Sequence, residues 1–393
     1  MKKLFAVLFS LMLVSFFACG KSSDTLKPGF KIGFMGPLTG DDANYGKLMS
    51  QASKIAIEEF NEKGGFKGFG AELIVEDTQG RVEKGNPAIE KLAGVDKVIG
   101  IIGDVFSSVS LAVAPKAEAA KIVMISPSST HKDLPDKGEF IFRDVINDDL
   151  QAVVFAKYLA KIENVKNLAI LYIKNDYSQA LAKAVQVQFE KEGGKVVAVE
   201  TGLQGDKDFK TQLTKIKGKN PEALYIPNYV AEIAQILEQA NQLGLKVKMY
   251  SADGFSQPQI LELAGKLANG VIFTQAAEQP ASSVRKNFEA KYEKKWGEKP
   301  DAFSLNAYDG TNIILKAVLA TAQVVDDKLV IDRDKLRDEV AKTKDYDGAS
   351  GKITFTANGD LVANIGIYTV ENQKFKQIRM FKLDGQNLVE ITK

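Results

Sequence analysis

Residues 97–130, KVIGIIGDVFSSVSLAVAPKAEAAKIVMISPSST, decide the fold. Residues 97–103 are a continuous apolar run closing on Gly103, the pattern of a strand buried on both faces. Ser107 and Ser108 open a helical stretch over 107–120. Residues 122–126 are a second apolar run, which ends in the serine-rich loop 126–130. A strand, a helix and another strand in such short succession make a parallel crossover unit.

The rhythm extends in both directions. Upstream lie a strand at 31–38 (KIGFMGPL) and a helix with Leu48, Ala52, Ile55, Ala56 and Phe60 on one face, closed by Gly64 and Gly65. A strand at 71–77 (AELIVED) and a helical segment at 87–92 follow. Downstream the pattern restarts with a strand at 167–173 (NLAILYI), a helix at 178–192, a strand at 195–200, a helix at 209–216 and a strand at 223–226. Ile233, Ile236, Leu237, Ala240 and Leu243 make the apolar face of the next helix, which Gly244 stops. Strands at 247–251 and 270–273 and helices at 284–296 and 303–322 come next. Residues 351–383 alternate apolar and polar, with turns at Asn358–Gly359 and near Asn372, which is hairpin patterning. The fold class is α/β: two doubly wound units, each a mostly parallel sheet flanked by helices, and then a β-rich tail. A chain of 393 residues also exceeds what one hydrophobic core supports.

Composition removes several function classes. Lys and Arg total 52 against 50 Asp and Glu, so there is no basic footprint for nucleic acid. His131 is the only histidine and no G-x-S-x-G elbow exists, so a nucleophile and its base cannot be assembled. GDDANYGK at 40–47 misses the phosphate loop: its spacing is one residue too long and Leu48 follows. Asp41 and Asp42 read as a solvated loop rather than a metal or acid/base pair. Cys19 is the only cysteine, so neither thiol catalysis nor a cysteine zinc site is expected. No cofactor is expected.

Residues 1–18 read as an export leader. Lys2 and Lys3 precede an apolar stretch, 4–17, broken only by Ser10 and Ser15; Ala18, Cys19 and Gly20 follow. Cys19 stands where a bacterial lipoprotein carries its acyl chains, although Phe16 occupies the place where Leu is usual. The expected mature protein starts at Cys19, with 19–29 as a tether to a membrane surface.

Ligands of doubly wound sheets bind beyond the carboxyl ends of the strands. Here those ends carry Gly36–Pro37, Gly103–Asp104, Ser126–Pro127 and Ser251-Ala252-Asp253-Gly254. Ser107 and Ser108 at a helix start suit capping, and the same N–H groups suit a carboxylate. Ser126 to Thr130 reads as a polar turn or as a grip for a carboxylate and an ammonium. Asp253 reads as a turn residue or as a counter-charge for an ammonium.

The runs IGFMGPLTG…YG, FNEKGG, IIGDVFSSVSLAVAP, IVMISPSST, LYIKNDYSQALAKAV, NAYDGTNIIL and GKITFTANGDL, in this order, resemble the leucine/isoleucine/valine-binding protein family, type I periplasmic binding proteins of ABC transporters. The resemblance covers nearly the whole chain after the leader. It implies two lobes joined by three crossings: lobe 1 over 30–146 and 276–352, lobe 2 over 147–275 and 353–393. It implies an amino-acid ligand in the cleft, a membrane permease as partner, and a monomer. By the same resemblance Ser107 meets the ligand carboxylate, Ser128 and Thr130 grip carboxylate and ammonium, and Asp253 meets the ammonium. Tyr45, Tyr177, Tyr229 and Phe303 supply aromatic cleft walls. Two departures stand out. Asp253 replaces the Glu of the branched-chain binders, and Asp104 stands in a loop that is usually neutral and is expected to face a cationic or amide ligand. Val105, Phe106 and Phe303 favour an aliphatic or aromatic side chain. An alternative reading is a sensor of the same fold that signals occupancy to a receptor or regulator. A repressor of similar fold needs a helix-turn-helix where the leader stands.

Overall fold

The computed structural model describes residues 26–392. The leader, Cys19 and the start of the tether lie outside the described residues. The chain builds two sheets. The first is wholly parallel, in the order β2-β1-β3-β4-β5, from β1 (Lys27–Gly36), β2 (Phe69–Asp77), β3 (Gly100–Ile102), β4 (Val123–Ser126) and β5 (Ile141–Arg143). The second contains β6 (Asn167–Ile173), β7 (Lys195–Gly202), β8 (Ala223–Tyr225), β9 (Lys248–Ser251) and β10 (Ile272–Ala276), parallel in the order β10-β9-β8-β6-β7. Strands Ile365–Glu371, Lys374–Asp384 and Asn387–Glu390 extend it beyond β10 with antiparallel pairing. This is the hairpin tail read from the alternation.

Helices cover the sheets because each presents one apolar stripe. In α1 (Ala43–Glu62), Leu48, Met49, Ala52, Ile55 and Ala56 are buried against β1, β2 and the helix Ala302–Thr321. That late helix also packs on β3 and β4, so it belongs to the first sheet. α2 (Val82–Glu90) and α3 (Ser107–Ala119) complete the first lobe. α4 (Asp148–Lys157), α5 (Asp176–Lys191), α6 (Lys210–Lys217) and α7 (Val230–Gln242) cover the second.

The chain leaves the first sheet after Arg143, returns to pack on it after Ala276, and re-enters the second sheet at Ile365. These are three crossings. A buried ion pair ties two of them together. Arg143 is 1% exposed. Its Nε and Nη2 donate to Asp360 at 2.6 and 2.9 Å, and its Nη1 donates to the His131 carbonyl at 2.6 Å. Asn147 Nδ2 donates to the same Asp360 at 2.9 Å.

Three differences from the sequence reading have physical causes. Strand β1 begins at Lys27, inside the stretch read as tether, because Lys27 pairs with Phe69. Strand β5 spans only Ile141–Arg143, too short to show periodicity. Helix α4 is apolar on most of its surface and lacks an amphipathic stripe, since it lies between α5 and the tail of the second sheet. Its start was nonetheless marked: Asn147 accepts the Leu150 N–H at 2.8 Å, an N-cap followed by Asp148 and Asp149.

A glycine fixes how α1 approaches the first strand. A Cβ on Gly46 would lie 2.0 Å from the Pro37 carbonyl oxygen. Gly46→Ala is therefore expected to destabilise the protein by about 1–3 kcal/mol in urea unfolding. Gly94→Ala, with open space around its Cβ, is the near-neutral control, and equal effects would refute this role for Gly46.

Candidate functional site

The carboxyl ends of both sheets face one cleft. The loop after β3 carries Val105 and Phe106 and leads into α3 at Ser107. The loop after β4 carries Ser128. From the opposite side, the turn after β9 presents Asp253, the start of α5 presents Tyr177, and the residue before α7 is Tyr229. Of the eight ligand-binding residues expected from the sequence, Tyr45, Ser107, Ser128, Tyr177, Tyr229, Asp253 and Phe303 line a single small cavity. Val105, Phe106 and Gly254 complete its wall.

Thr130 does not line it. This residue is fully buried behind the loop, where its carbonyl accepts the Asp148 N–H at 2.9 Å. Asp104 does not line it either: its Oδ1 is turned back to accept the Phe106 N–H at 2.9 Å. The expectation that Asp104 faces the ligand is corrected on that ground. Capping is likewise not what the helix-opening serines do. The N-cap of α3 is Phe106, without a side-chain cap bond, and Ser107 is the first helical residue. Ser108 Oγ instead accepts the Asp176 N–H at 3.1 Å, from the other lobe.

Serine hydroxyls stitch the two first-lobe loops together. Ser126 Oγ donates to the Asp104 carbonyl and Ser128 Oγ to the Val105 carbonyl, each at 2.8 Å. Ser110 and Ser129 share a hydroxyl bond of 2.6 Å behind them. The rigid pair of loops leaves the uncapped N-terminus of α3 beside Ser107 and Ser128. Free backbone N–H groups and the positive helix end favour an anion there.

Asp253 forms the opposite pole. The carboxyl is 2% exposed, and its Oδ1 accepts Gln151 Nε2 at 2.9 Å and Tyr177 OH at 3.0 Å. Gln151 is oriented in turn by Thr274, whose hydroxyl donates to Gln151 Oε1 at 2.8 Å. Burial pushes Asp253 up to about 6, with the Gln151 and Tyr177 bonds holding it partly down. Asp148 lies buried nearby with neither oxygen hydrogen-bonded among the described residues; burial and the Asp253 charge hold it well above the ordinary range. The sequence reading missed Gln151 and Asp148, both on the unrecognised α4.

Contacts across the cleft are already made. Tyr45 OH donates to the Gly254 carbonyl at 2.5 Å and accepts the Val230 N–H at 3.3 Å. Phe106 stacks on Tyr229 at 4.0 Å between centroids, and Tyr229 stacks on Tyr177 at 5.3 Å. Tyr45 stands edge-on to both Phe106 and Tyr229. The enclosed space is about 10 Å³. A benzene-sized guest needs a cavity of roughly 150 Å³, so a guest of that size requires these rings to part. Among the described residues no group of three His, Cys, Asp or Glu side chains is placed to hold a metal ion. His131 lies at the hinge, not in the cleft wall.

An α/β protein of two lobes, with an anion-accepting helix end facing a buried carboxylate across aromatic walls, is a solute-binding protein. Comparison with known proteins agrees. A family described as periplasmic binding protein matches residues 29–374. A Leu/Ile/Val-binding protein of Rhizobium johnstonii is 30% identical over 84% of this chain and 89% of its own length. A leucine-, isoleucine-, valine-, threonine-, and alanine-binding protein of Pseudomonas aeruginosa is 27% identical over 90% of this chain and 92% of its own. Among solved structures, a leucine binding protein from Thermotoga maritima superposes with a TM-score of 0.82 at 31% identity, covering 89% of this chain and 98% of that one. A branched-chain amino acid transporter substrate binding protein from Streptococcus pneumoniae, in complex with isoleucine, gives 0.81 at 26% identity, covering 92% and 100%. The chain belongs to the periplasmic binding protein family, and within it to the leucine/isoleucine/valine-binding group. The family binds solutes rather than transforming them, and membership implies an extracytoplasmic location.

Proposed function

We propose that this chain is the substrate-binding protein of an ABC transporter and that it captures an apolar amino acid by closing two lobes, 30–146 with 276–352 and 147–275 with 353–393. One observation carries the reading: the cleft sets the uncapped start of α3 and two serines on one side, a buried carboxylate on the other, and aromatic rings between them. That is the complement of a zwitterion with an apolar side chain. Ser107 and Ser128 receive the carboxylate first. Closure then adds Tyr177, Tyr229 and Asp253, so the ligand favours the closed form through contacts it gains only there. Each ligand charge has a partner, as burial of a zwitterion requires. The closed form is what a membrane permease reads, and Cys19 is the proposed lipid anchor. The isoleucine complex of the streptococcal neighbour supports the ligand class.

Thermal melting of the leaderless protein against a panel of amino acids, amides and small organic acids tests this. A true ligand at a hundredfold excess over its dissociation constant adds about 2.7 kcal/mol of stability. A rise in melting temperature with Leu, Ile, Val or Phe is the expected result. A rise with amides or organic acids alone would overturn the amino-acid reading.

A further inference from the structure

At the cleft mouth lies a second cavity, about 330 Å³, lined from both lobes. Of its three carboxylates, Asp41, Asp42 and Glu232, the last two carry buried oxygens without a hydrogen bond among the described residues. Asp42 precedes α1, and Glu232 sits in the first turn of α7. Glu232 is 1% exposed. Its Oε1 accepts the Gly205 N–H at 2.7 Å, while its Oε2 is buried with no hydrogen bond among the described residues. Asp42 Oδ1 is buried in the same condition, and the side chain does not cap α1. The sequence had read this pair of aspartates as a solvated loop; Asp42 is instead turned inward toward the other lobe.

The remaining charged groups at the mouth do not neutralise the pair. Asp41 and Lys207 form an ion pair with each other across the opening. Arg81 lies exposed on the rim, and Gln79 and Gln204 are neutral. Among the described residues no third carboxylate, histidine or cysteine converges with these two on a metal ion. The positive charge that satisfies two facing carboxylates here without a further ligand is a proton.

We propose that cleft closure takes up a proton between Asp42 and Glu232, so that ligand capture strengthens as the surroundings become more acidic. The inference rests on ligand-driven closure as described above. Opening the cleft would expose Asp42 to water, where a carboxyl ionises in the ordinary range. In the closed form burial pushes it up to about 7, and the Glu232 and Asp41 charges add to the rise while Lys207 and hydrogen bonding by the Gln204 side chain oppose it. Burial raises Glu232 as well. The sign follows from linkage. Between the open and closed values the closed form holds one more proton, so closure is favoured as pH falls through 7 and gains nothing further below the open value. Above 7 both forms are ionised and the repulsion persists.

The test compares dissociation constants of the parent and Asp42→Asn for L-leucine, or for another panel amino acid that raises the melting temperature. The calorimetric titrations run from about pH 8 down to about pH 5, in buffers of differing ionisation heat. Asp253 titrates in both proteins and cancels in the ratio. Asp42→Asn is expected to bind roughly tenfold or more tightly than the parent at pH 8, with the advantage shrinking severalfold per pH unit below 7. The parent is expected to take up a proton on binding near pH 6, and the variant to take up markedly less. Glu232→Gln, which keeps the acceptor for Gly205, is expected to act in the same direction. A pH-independent affinity ratio, or the same proton exchange on binding in parent and variant, overturns the proton-coupled latch and leaves the amino-acid reading standing. No binding by either protein to any amino acid overturns both.

Discussion

Asp253→Asn is expected to remove most amino-acid binding while leaving the fold at least as stable as the parent. The substitution keeps the shape of the side chain and an oxygen for Gln151 and Tyr177. It deletes only the charge proposed to face the ligand ammonium. An ammonium enclosed without its partner costs about 2–5 kcal/mol, which is roughly thirtyfold to several thousandfold in the dissociation constant. Stability moves the other way. Burial raises the carboxyl to about 6, so the charged form burdens the native state above that pH, and the burden is absent below the unfolded value. The variant is expected to match or exceed the parent in urea unfolding above pH 6. Titration calorimetry beside the unfolding curves separates the two roles. Undiminished affinity would sink the ammonium assignment, and a large loss of stability would make Asp253 structural.

Arg143→Ala is expected to cost about 3–5 kcal/mol of stability, because it strands a carboxylate that four hydrogen-bond donors now satisfy. Arg143 supplies two of those donors to Asp360; Asn147 Nδ2 and the Leu361 N–H supply the others. With the guanidinium gone, the His131 carbonyl also loses its partner. The pair is held inside the protein, so its contribution is expected to change little with added salt, unlike that of exposed pairs such as Lys121–Asp334. Urea unfolding at low and high salt gives the answer. A loss under about 1 kcal/mol would show that the crossings are held by packing alone.

The order of elements was legible because each strand is a short apolar run bounded by glycine or serine, and each surface helix has one apolar face. Ser107, the loop 126–130 and Asp253 stood out for a related reason, since polar, turn-forming residues at strand ends gather where parallel sheets bind ligands; Ser128 was picked out of its loop only by the family resemblance. Thr130 was misplaced because two residues along an irregular loop, from Ser128 to Thr130, separate the cavity wall from its back, and no periodicity registers that step. Gln151 and Asp148 were missed with their helix, which is apolar on too many sides to show a stripe. Arg143 and Asp360 are 217 residues apart, and although Asp360 falls in the run GKITFTANGDL, nothing in that run names its partner, so only the folded chain brings them together. Asp42 and Glu232 share that character, since one reads as a loop acid before α1 and the other as a surface acid in the first turn of α7.

On the proposed reading of the cleft as an apolar amino-acid site, the stacked rings of Phe106 and Tyr229 give it a built-in rival for its guest. Before an aliphatic or aromatic side chain settles, it displaces a contact worth about 0.5–1.5 kcal/mol beyond the apolar area that contact covers. A bulky hydrocarbon replaces what it removes and more, at roughly 25 cal/mol for each Å² it brings out of water. Glycine or serine offers the same head group with too little surface to offset the lost stack. Discrimination against small and polar amino acids then needs no clash and no repelling charge, only a protein that already fills its own cleft.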